Sequence, residues 1–110
     1  MELERTESER AVVLAATGRL NLASAPRMKA AVDDVVAGGQ PHVVVDLTGV
    51  EFIDSSGLGA IIGGLKRARQ AGGDLRIAGA GEQVHTVLKL TNLDRILRPF
   101  PTVEDALGDW

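Results

Sequence analysis

The chain has 110 residues, with 45% hydrophobic and 25% charged side chains, and this balance is typical of a globular domain and not of a disordered segment. Its length predicts one domain over residues 1–110 with a sizeable core. A net charge of -3 gives no reason to expect nucleic acid binding, and with no cysteine and only two histidines we expect no disulfide, cysteine nucleophile or metal site.

The first twenty residues predict a β-hairpin. Residues 1–5 are charged and lack the apolar core of a signal peptide, and no apolar run in the chain approaches the roughly 20 residues that span a bilayer. We therefore expect a cytoplasmic protein without membrane contact. Strand patterns at residues 3–6 and 10–17 flank a polar turn, and Gly18 is expected to end the second strand.

Three amphipathic helices are predicted between residues 24 and 92. Each has apolar residues at helical spacing and a start or stop signal. The first begins at Ser24 and Pro26, buries Met28, Ala31, Val32, Val35 and Val36, and stops at Gly38-Gly39. The second carries Leu58, Ile61, Ile62, Leu65 and Ala68 and stops at Gly72-Gly73, and the third follows Gly79 and Gly81, carries Val84, Val87 and Leu88, and ends at Thr91-Asn92.

Further strands are predicted between these helices. Residues 43–47 are a near-continuous apolar run, as in a strand covered on both faces, and residues 74–77 alternate between polar and apolar. Residues 95–98 predict a weak last strand that is broken at residues 99–101. The alternation of strands and helices predicts an α/β fold, with a mixed, mostly parallel sheet of about four to five strands and about four helices.

The C-terminal residues predict one short helix. Thr102 and Asp105 resemble a capping box at its start, although Asp replaces the usual Glu. Trp110, at the last position, is expected to pack loosely or fray.

The junction between the central strand and the second helix is the candidate site. Asp54, Ser55 and Ser56 follow the buried strand and lie where the helix begins. Unpaired N–H groups and the positive dipole end at a helix N-terminus favour caps and anions. In open sheets of this kind, ligands and partners also tend to meet the carboxyl ends of strands.

The second helix contains an unusual number of glycines. Gly59, Gly63 and Gly64 each cost about 1 kcal/mol relative to alanine in a helix interior. Helical spacing predicts a lane of nearly bare backbone on one side, formed by Ser56, Gly59, Ala60, Gly63 and Arg67. Either another element of the same domain packs closely against this lane, or the lane is a flat docking surface for a partner.

The serine pair has several possible roles. Ser55 or Ser56 would be a suitable helix cap. A hydrolase elbow is excluded because Ile53 and Asp54 replace the glycine required two residues before the nucleophile, and a P-loop is excluded because Lys66 comes one residue too late after Gly64.

Phosphorylation of Ser56 is the remaining alternative. A phosphoryl group adds a charge of about -1.5 to -2 at neutral pH. The helix dipole would tolerate that charge, so the domain would stay folded. On a docking face the charge would be costly to desolvate, and Asp54 and Glu51 would add like charge. The result would be a binding switch that leaves the fold intact.

Residues 43–59 resemble the signature of STAS domains, and in particular of the bacterial anti-sigma factor antagonists. The resemblance extends along nearly the whole chain, through residues 18–26, 71–79 and 90–94, and the Asp-Ser-Ser-Gly-Leu-Gly string at 54–59 is its most specific part. It implies a STAS fold in a protein that is not an enzyme. One departure is Asn21, which occupies a position where the family often has Asp.

The family resemblance implies a partner-switching mechanism. The unphosphorylated antagonist binds an anti-sigma factor that is also a serine kinase, and so frees a sigma factor. The kinase phosphorylates the antagonist and releases it, and a metal-dependent serine phosphatase resets it. The acceptor falls on Ser56, ATP and Mg²⁺ belong to the partner, and this chain itself needs no cofactor. The implied partner contacts are Asn21, Asp54, Ser55, Gly57, Leu58, Gly59, Ala60 and Gly63.

Two other functions remain open from the sequence. The chain resembles STAS subunits of other assemblies as well, such as a lipid-transport complex or a multi-protein stress sensor. A module that binds a small ligand or a nucleotide at the same helix N-terminus is the second. Neighbouring genes for a kinase-type anti-sigma factor would favour the anti-sigma factor antagonist. Neighbouring transport genes would favour the STAS subunit of another assembly.

Overall fold

The alternating strand and helix patterns fold into one five-stranded sheet in the computed structural model, which describes residues 1–110. The strands are β1 (Glu2–Glu7), β2 (Val12–Leu20), β3 (His42–Ile53), β4 (Asp74–Ala78) and β5 (Pro99–Phe100), in that spatial order. The helices are α1 (Ala25–Ala37), α2 (Ser55–Gln70), α3 (Glu82–Leu90) and α4 (Val103–Leu107), with a 3-10 turn at Leu93–Arg95. None of them is long and apolar enough to cross a membrane.

The sheet is mixed and mostly parallel, as predicted. Only the hairpin pair of β1 and β2 is antiparallel, and every later neighbour pair is parallel. The valine run of β3 is buried on both faces, which confirms the prediction for a central strand. Val43 and Val45 face a large core shared with α1, α2 and α3, whereas Val44 faces a smaller cluster beneath α4.

The strand β2 is longer than predicted. Gly18 has a positive φ of 89° but does not end the strand, so that boundary was wrong. Pairing with β3 continues to Leu20 through two register shifts, because a glycine with positive φ accommodates a bulge as readily as a stop. The extension carries the end of β2 to the end of β3, where the candidate site lies.

The last strand lies elsewhere than predicted. Residues 95–98 form no strand, and β5 is instead Pro99–Phe100, where a break was expected. Proline is tolerated there because an edge strand does not need every N–H donor. The Phe100 carbonyl accepts a hydrogen bond from Gly79 N–H at 2.9 Å. The ladder beside β4 is therefore only two residues long.

The C-terminal segment is fixed to the sheet rather than frayed, so the prediction for Trp110 was wrong. The Arg10 guanidinium, from the β1–β2 turn, donates at 2.6 Å to the main-chain oxygen of Trp110 and at 3.1 and 3.0 Å to those of Leu107 and Gly108. The Arg76 guanidinium lies 3.9 Å from the centre of the indole ring. Arg10 thus donates to carbonyl groups at and beyond the end of α4, where few intrahelical partners remain.

The predicted cap of α4 is present, and a salt bridge to Asp109 lies just after the helix. The Thr102 hydroxyl accepts a hydrogen bond from Asp105 N–H at 3.1 Å, which confirms the start of this helix. Arg76 also donates to the exposed Asp109 carboxylate at 3.0 Å, and this hydrogen bond lowers the pKa of the Asp109 carboxyl.

Replacement of Arg10 tests whether the hairpin holds the C-terminal segment. Arg10→Ala should lower the free energy of unfolding by about 1 kcal/mol, because several carbonyl oxygens lose a charged donor. Urea unfolding followed by circular dichroism measures this change. Arg5→Ala, on the same hairpin and paired only with exposed Glu7, should change it by less than about 0.5 kcal/mol. Equal urea midpoints for the two variants would contradict the role of Arg10 in holding the C-terminal segment.

Candidate functional site

The site begins at Asp54, the single residue between β3 and α2. Its main-chain N–H donates to the Leu20 carbonyl at 3.2 Å, at the end of β2. Its Oδ1 accepts from Gly57 N–H at 2.9 Å, which is the N-cap of α2. Its Oδ2 accepts from Leu22 N–H at 3.2 Å. One carboxylate therefore joins the loop after β2 to the first turn of α2.

This geometry corrects the interpretation of the serine pair as a cap. Because Asp54 occupies the N-cap position, Ser55 and Ser56 both lie inside the first turn of α2. Ser55 is exposed and Ser56 is half-buried. Neither hydroxyl takes part in any hydrogen bond within the chain, although the Asp54 carboxylate is two residues away. The hydroxyl of Ser56 is thus free to react or to bind.

Gly57 and Leu58 support the site from inside. A Cβ at Gly57 would overlap the carbonyl oxygen of Leu20, so α2 approaches the end of β2 by direct backbone contact. Leu58 is 4% exposed and belongs to the large core. The prediction that these two residues contact a partner is therefore corrected, because burial leaves them almost no surface.

Gln83 also holds this junction, although no local sequence pattern indicates this role. β3 runs seven residues beyond Asp46, the last residue paired with β4, so its later main-chain groups need other partners. The Gln83 side chain, from α3, accepts from Ile53 N–H and donates to the Ile53 carbonyl, both at 2.9 Å. Strand β3 is therefore anchored on both sides immediately before Asp54.

An open groove runs between α1 and α2 from Ser56. Its volume is about 500 Å³. The wall from α2 is Ser56, Gly59, Ala60 and Gly63, and the opposite wall is Leu22, Ala25, Pro26 and Lys29. Lys29 is its only charged lining residue. Three of the predicted contact residues, Gly59, Ala60 and Gly63, thus meet the predicted acceptor Ser56 in one groove.

The sequence left two explanations for the glycines of α2, which are close packing within the domain and a docking surface for a partner. A Cβ at Gly64 would lie 3.1 Å from Val32 and 3.2 Å from Leu75, so this glycine serves close packing within the domain. A Cβ at Gly59 or Gly63 would meet nothing within 4 Å. Internal packing therefore explains Gly64 and leaves Gly59 and Gly63 without a structural reason.

Asn21 lies outside the groove. Its Oδ1 accepts from Ala23 N–H at 3.1 Å and from Ser24 N–H at 3.3 Å. It lines a neighbouring hollow with Arg19 and Arg27 and does not share a wall with Ser56. The structure thus gives Asn21 a role in shaping the turn before α1.

No group of three or more His, Asp or Glu residues is placed to hold a metal ion.

Known proteins resemble this chain in sequence and in fold. The STAS domain family model matches residues 2–106. The chain belongs to the STAS family. A Thermotoga neapolitana relative, provisionally named as an anti-sigma factor antagonist homolog, is 36% identical over 102 residues, covering 92% of this chain and 90% of the relative. The anti-sigma-F factor antagonist RsfB of Mycobacterium tuberculosis is 30% identical over 95 residues, which are 86% of this chain and 77% of RsfB.

A solved structure agrees with the fold in detail. The crystal structure of a Thermotoga maritima protein, also provisionally named as an anti-sigma factor antagonist, superimposes with a TM-score of 0.90 at 32% identity. The match covers 97% of this chain and 92% of that protein. The predicted STAS fold is confirmed. The relatives are named for regulatory binding, so this STAS domain is a binding protein and not an enzyme.

Exchanges of two glycines test how the groove is built. Gly59→Ala should raise the free energy of unfolding by about 1 kcal/mol, because it improves helix propensity where a methyl group meets nothing. Gly57→Ala should lower it by about 2 kcal/mol, because the methyl group would overlap the Leu20 carbonyl. Thermal and urea unfolding of both variants measure the two changes. Destabilisation by Gly59→Ala would show that the groove is not open.

Proposed function

We propose that this chain is an anti-sigma factor antagonist controlled by phosphorylation of Ser56. In this proposal the unphosphorylated form binds a serine-kinase anti-sigma factor through the groove and frees a sigma factor. The observation that carries the proposal is the half-buried Ser56, whose unengaged hydroxyl borders an open groove. Two relatives are named as anti-sigma factor antagonists, and these names support the proposed binding of an anti-sigma factor.

The position of Ser56 suits a switch that leaves the scaffold folded. A phosphoryl group of about -1.5 to -2 charge would lie in the first turn of α2, where the helix dipole favours an anion. The same group would project into the groove beside Gly59 and Gly63. A partner that packs on this bare backbone would then meet both bulk and a charge that is costly to desolvate.

Asp54 contributes to this switch by positioning. Both of its carboxylate oxygens accept main-chain N–H groups, from Gly57 and Leu22, and neither bonds the Ser56 hydroxyl. We therefore assign Asp54 to holding the first turn, so that the hydroxyl reaches the kinase active site in a fixed orientation. ATP and Mg²⁺ belong to the kinase in this proposal, and a serine phosphatase removes the phosphate.

The proposed unit is the whole of residues 1–110 acting as a single STAS domain in the cytoplasm. Ser55, Gly59 and Gly63 complete the partner contact around Ser56. Ala60 is only 9% exposed but lines the groove, unlike Leu58, and so stays in this contact. In this proposal, Gly59 and Gly63 serve the partner contact despite their cost to helix stability of about 1 kcal/mol each.

Phosphate transfer tests the acceptor directly. Incubation with the purified kinase-type anti-sigma factor of the same genome and ATP should place one phosphate on Ser56, located by peptide mass mapping. Ser56→Ala should abolish uptake, whereas Ser55→Ala should retain it because the acceptor remains. Undiminished uptake by Ser56→Ala would refute the site assignment.

A charge placed at the acceptor tests the switch. Ser56→Asp should unfold at or slightly above the midpoint of the wild type, because an acid in the first turn of a helix is favourable by about 0.3–1 kcal/mol. The same variant should lose the partner. Ser55→Asp carries the same charge one residue away, outside the groove lining, and should bind more tightly than Ser56→Asp. Circular dichroism and isothermal titration calorimetry measure the two properties. Loss of the fold in Ser56→Asp would contradict the switch.

A further inference from the structure

The turn before α1 is fully hydrogen-bonded at residues 21–24. Asn21 N–H donates to Ser24 Oγ at 2.9 Å and Leu22 N–H donates to Asp54 Oδ2 at 3.2 Å. Ala23 N–H donates to Asn21 Oδ1, and Ser24 N–H donates to both the carbonyl and the Oδ1 of Asn21. Every main-chain donor in this turn is thus satisfied inside the chain, so the turn is held in one conformation.

This rigid turn displays a large apolar side chain. Leu22 is 74% exposed at the rim of the groove that contains Ser56. An exposed leucine on a surface is ordinary by itself. Here, however, the backbone that carries it is ordered in advance by the Asp54 carboxylate, which also caps the helix of Ser56. Ordering the backbone beforehand reduces the entropy lost on binding.

We propose that Leu22 and Lys29 form a two-point anchor for the anti-sigma factor, with Leu22 entering an apolar pocket and Lys29 pairing with a carboxylate at the rim of that pocket. The inference rests on the proposed function and names the surface chemistry of the partner. Charge supports it, because Lys29 is the only charged residue that lines the groove and no acid lines it. An acidic rim on the partner would therefore be attracted to Lys29 without a repelling carboxylate in the groove lining.

The anchor also explains how phosphate would act over the whole groove. Ser56 and Lys29 line the same space, so a phosphoryl group on Ser56 would compete with the partner carboxylate for the same ammonium group. Leu22 would keep its position, because its turn does not depend on the Ser56 hydroxyl. Phosphorylation would therefore release the partner by weakening its contacts with Lys29 and with the bare backbone at Gly59 and Gly63.

Two matched pairs of variants test the anchor against the purified anti-sigma factor. Leu22→Ala should raise the dissociation constant about tenfold, since most of a leucine side chain would lose its burial. Leu90→Ala removes an equally exposed leucine, 79% exposed at the end of α3, and should leave it unchanged. Lys29→Glu should weaken binding several-fold more than Lys66→Glu, which makes the same charge change on the exposed part of α2 outside the groove.

A third pair tests Asn21 as a positioning residue. Asn21→Ala removes the oxygen that accepts from Ala23 and Ser24 and should weaken binding, whereas Asn21→Asp keeps an acceptor oxygen and should restore it.

Equal affinities for Leu22→Ala and Leu90→Ala, with wild type binding the anti-sigma factor, would overturn the anchor and leave the proposed function standing. Failure of the wild type to bind would overturn both. Self-association of the wild type through Leu22 in sedimentation would overturn the anchor in favour of a second copy.

Discussion

The hydrogen bonds of the Asp54 carboxylate determine the geometry of the candidate site. One oxygen caps α2 at Gly57, and the other binds Leu22 N–H in the loop that follows β2. The two walls of the groove come from different parts of the chain, and this side chain fixes one relative to the other. Direct contact between Gly57 and Leu20 adds a steric limit to the same junction. The proposed phosphorylation of Ser56 would therefore take place on a support that these hydrogen bonds already hold.

The glycines of α2 show how structural and functional demands meet in one helix. Gly57 and Gly64 are required by neighbouring atoms, the first by the Leu20 backbone and the second by Val32. Gly59 and Gly63 have no such neighbours and weaken the helix without a return in packing. Stability of a small domain is only about 5–15 kcal/mol, so this cost is considerable. The proposed contact with a partner would give Gly59 and Gly63 a role that the isolated domain does not.

Local patterns predicted most of the fold but little of the hydrogen bonding at the site. Periodicity identified the buried run of β3 and the limits of α2, because those signals come from neighbouring residues. The bond from Gln83 to Ile53 joins residues 30 apart, and no local pattern encodes it. At Asn21, where the family often has Asp, either residue would supply the side-chain oxygen that accepts from Ala23 and Ser24 N–H.

The arrangement around Trp110 has a practical consequence for spectroscopy. It is the only tryptophan, and its ring contacts both His42, at a centroid distance of 4.7 Å, and the Arg76 guanidinium. It belongs to the cluster beneath α4, on the sheet face opposite the core that α1 and α2 share. Its emission therefore reports whether the sheet and the C-terminal segment remain assembled, while molecules that arrive on the other face leave it unaltered. The chain contains its own optical control for folding.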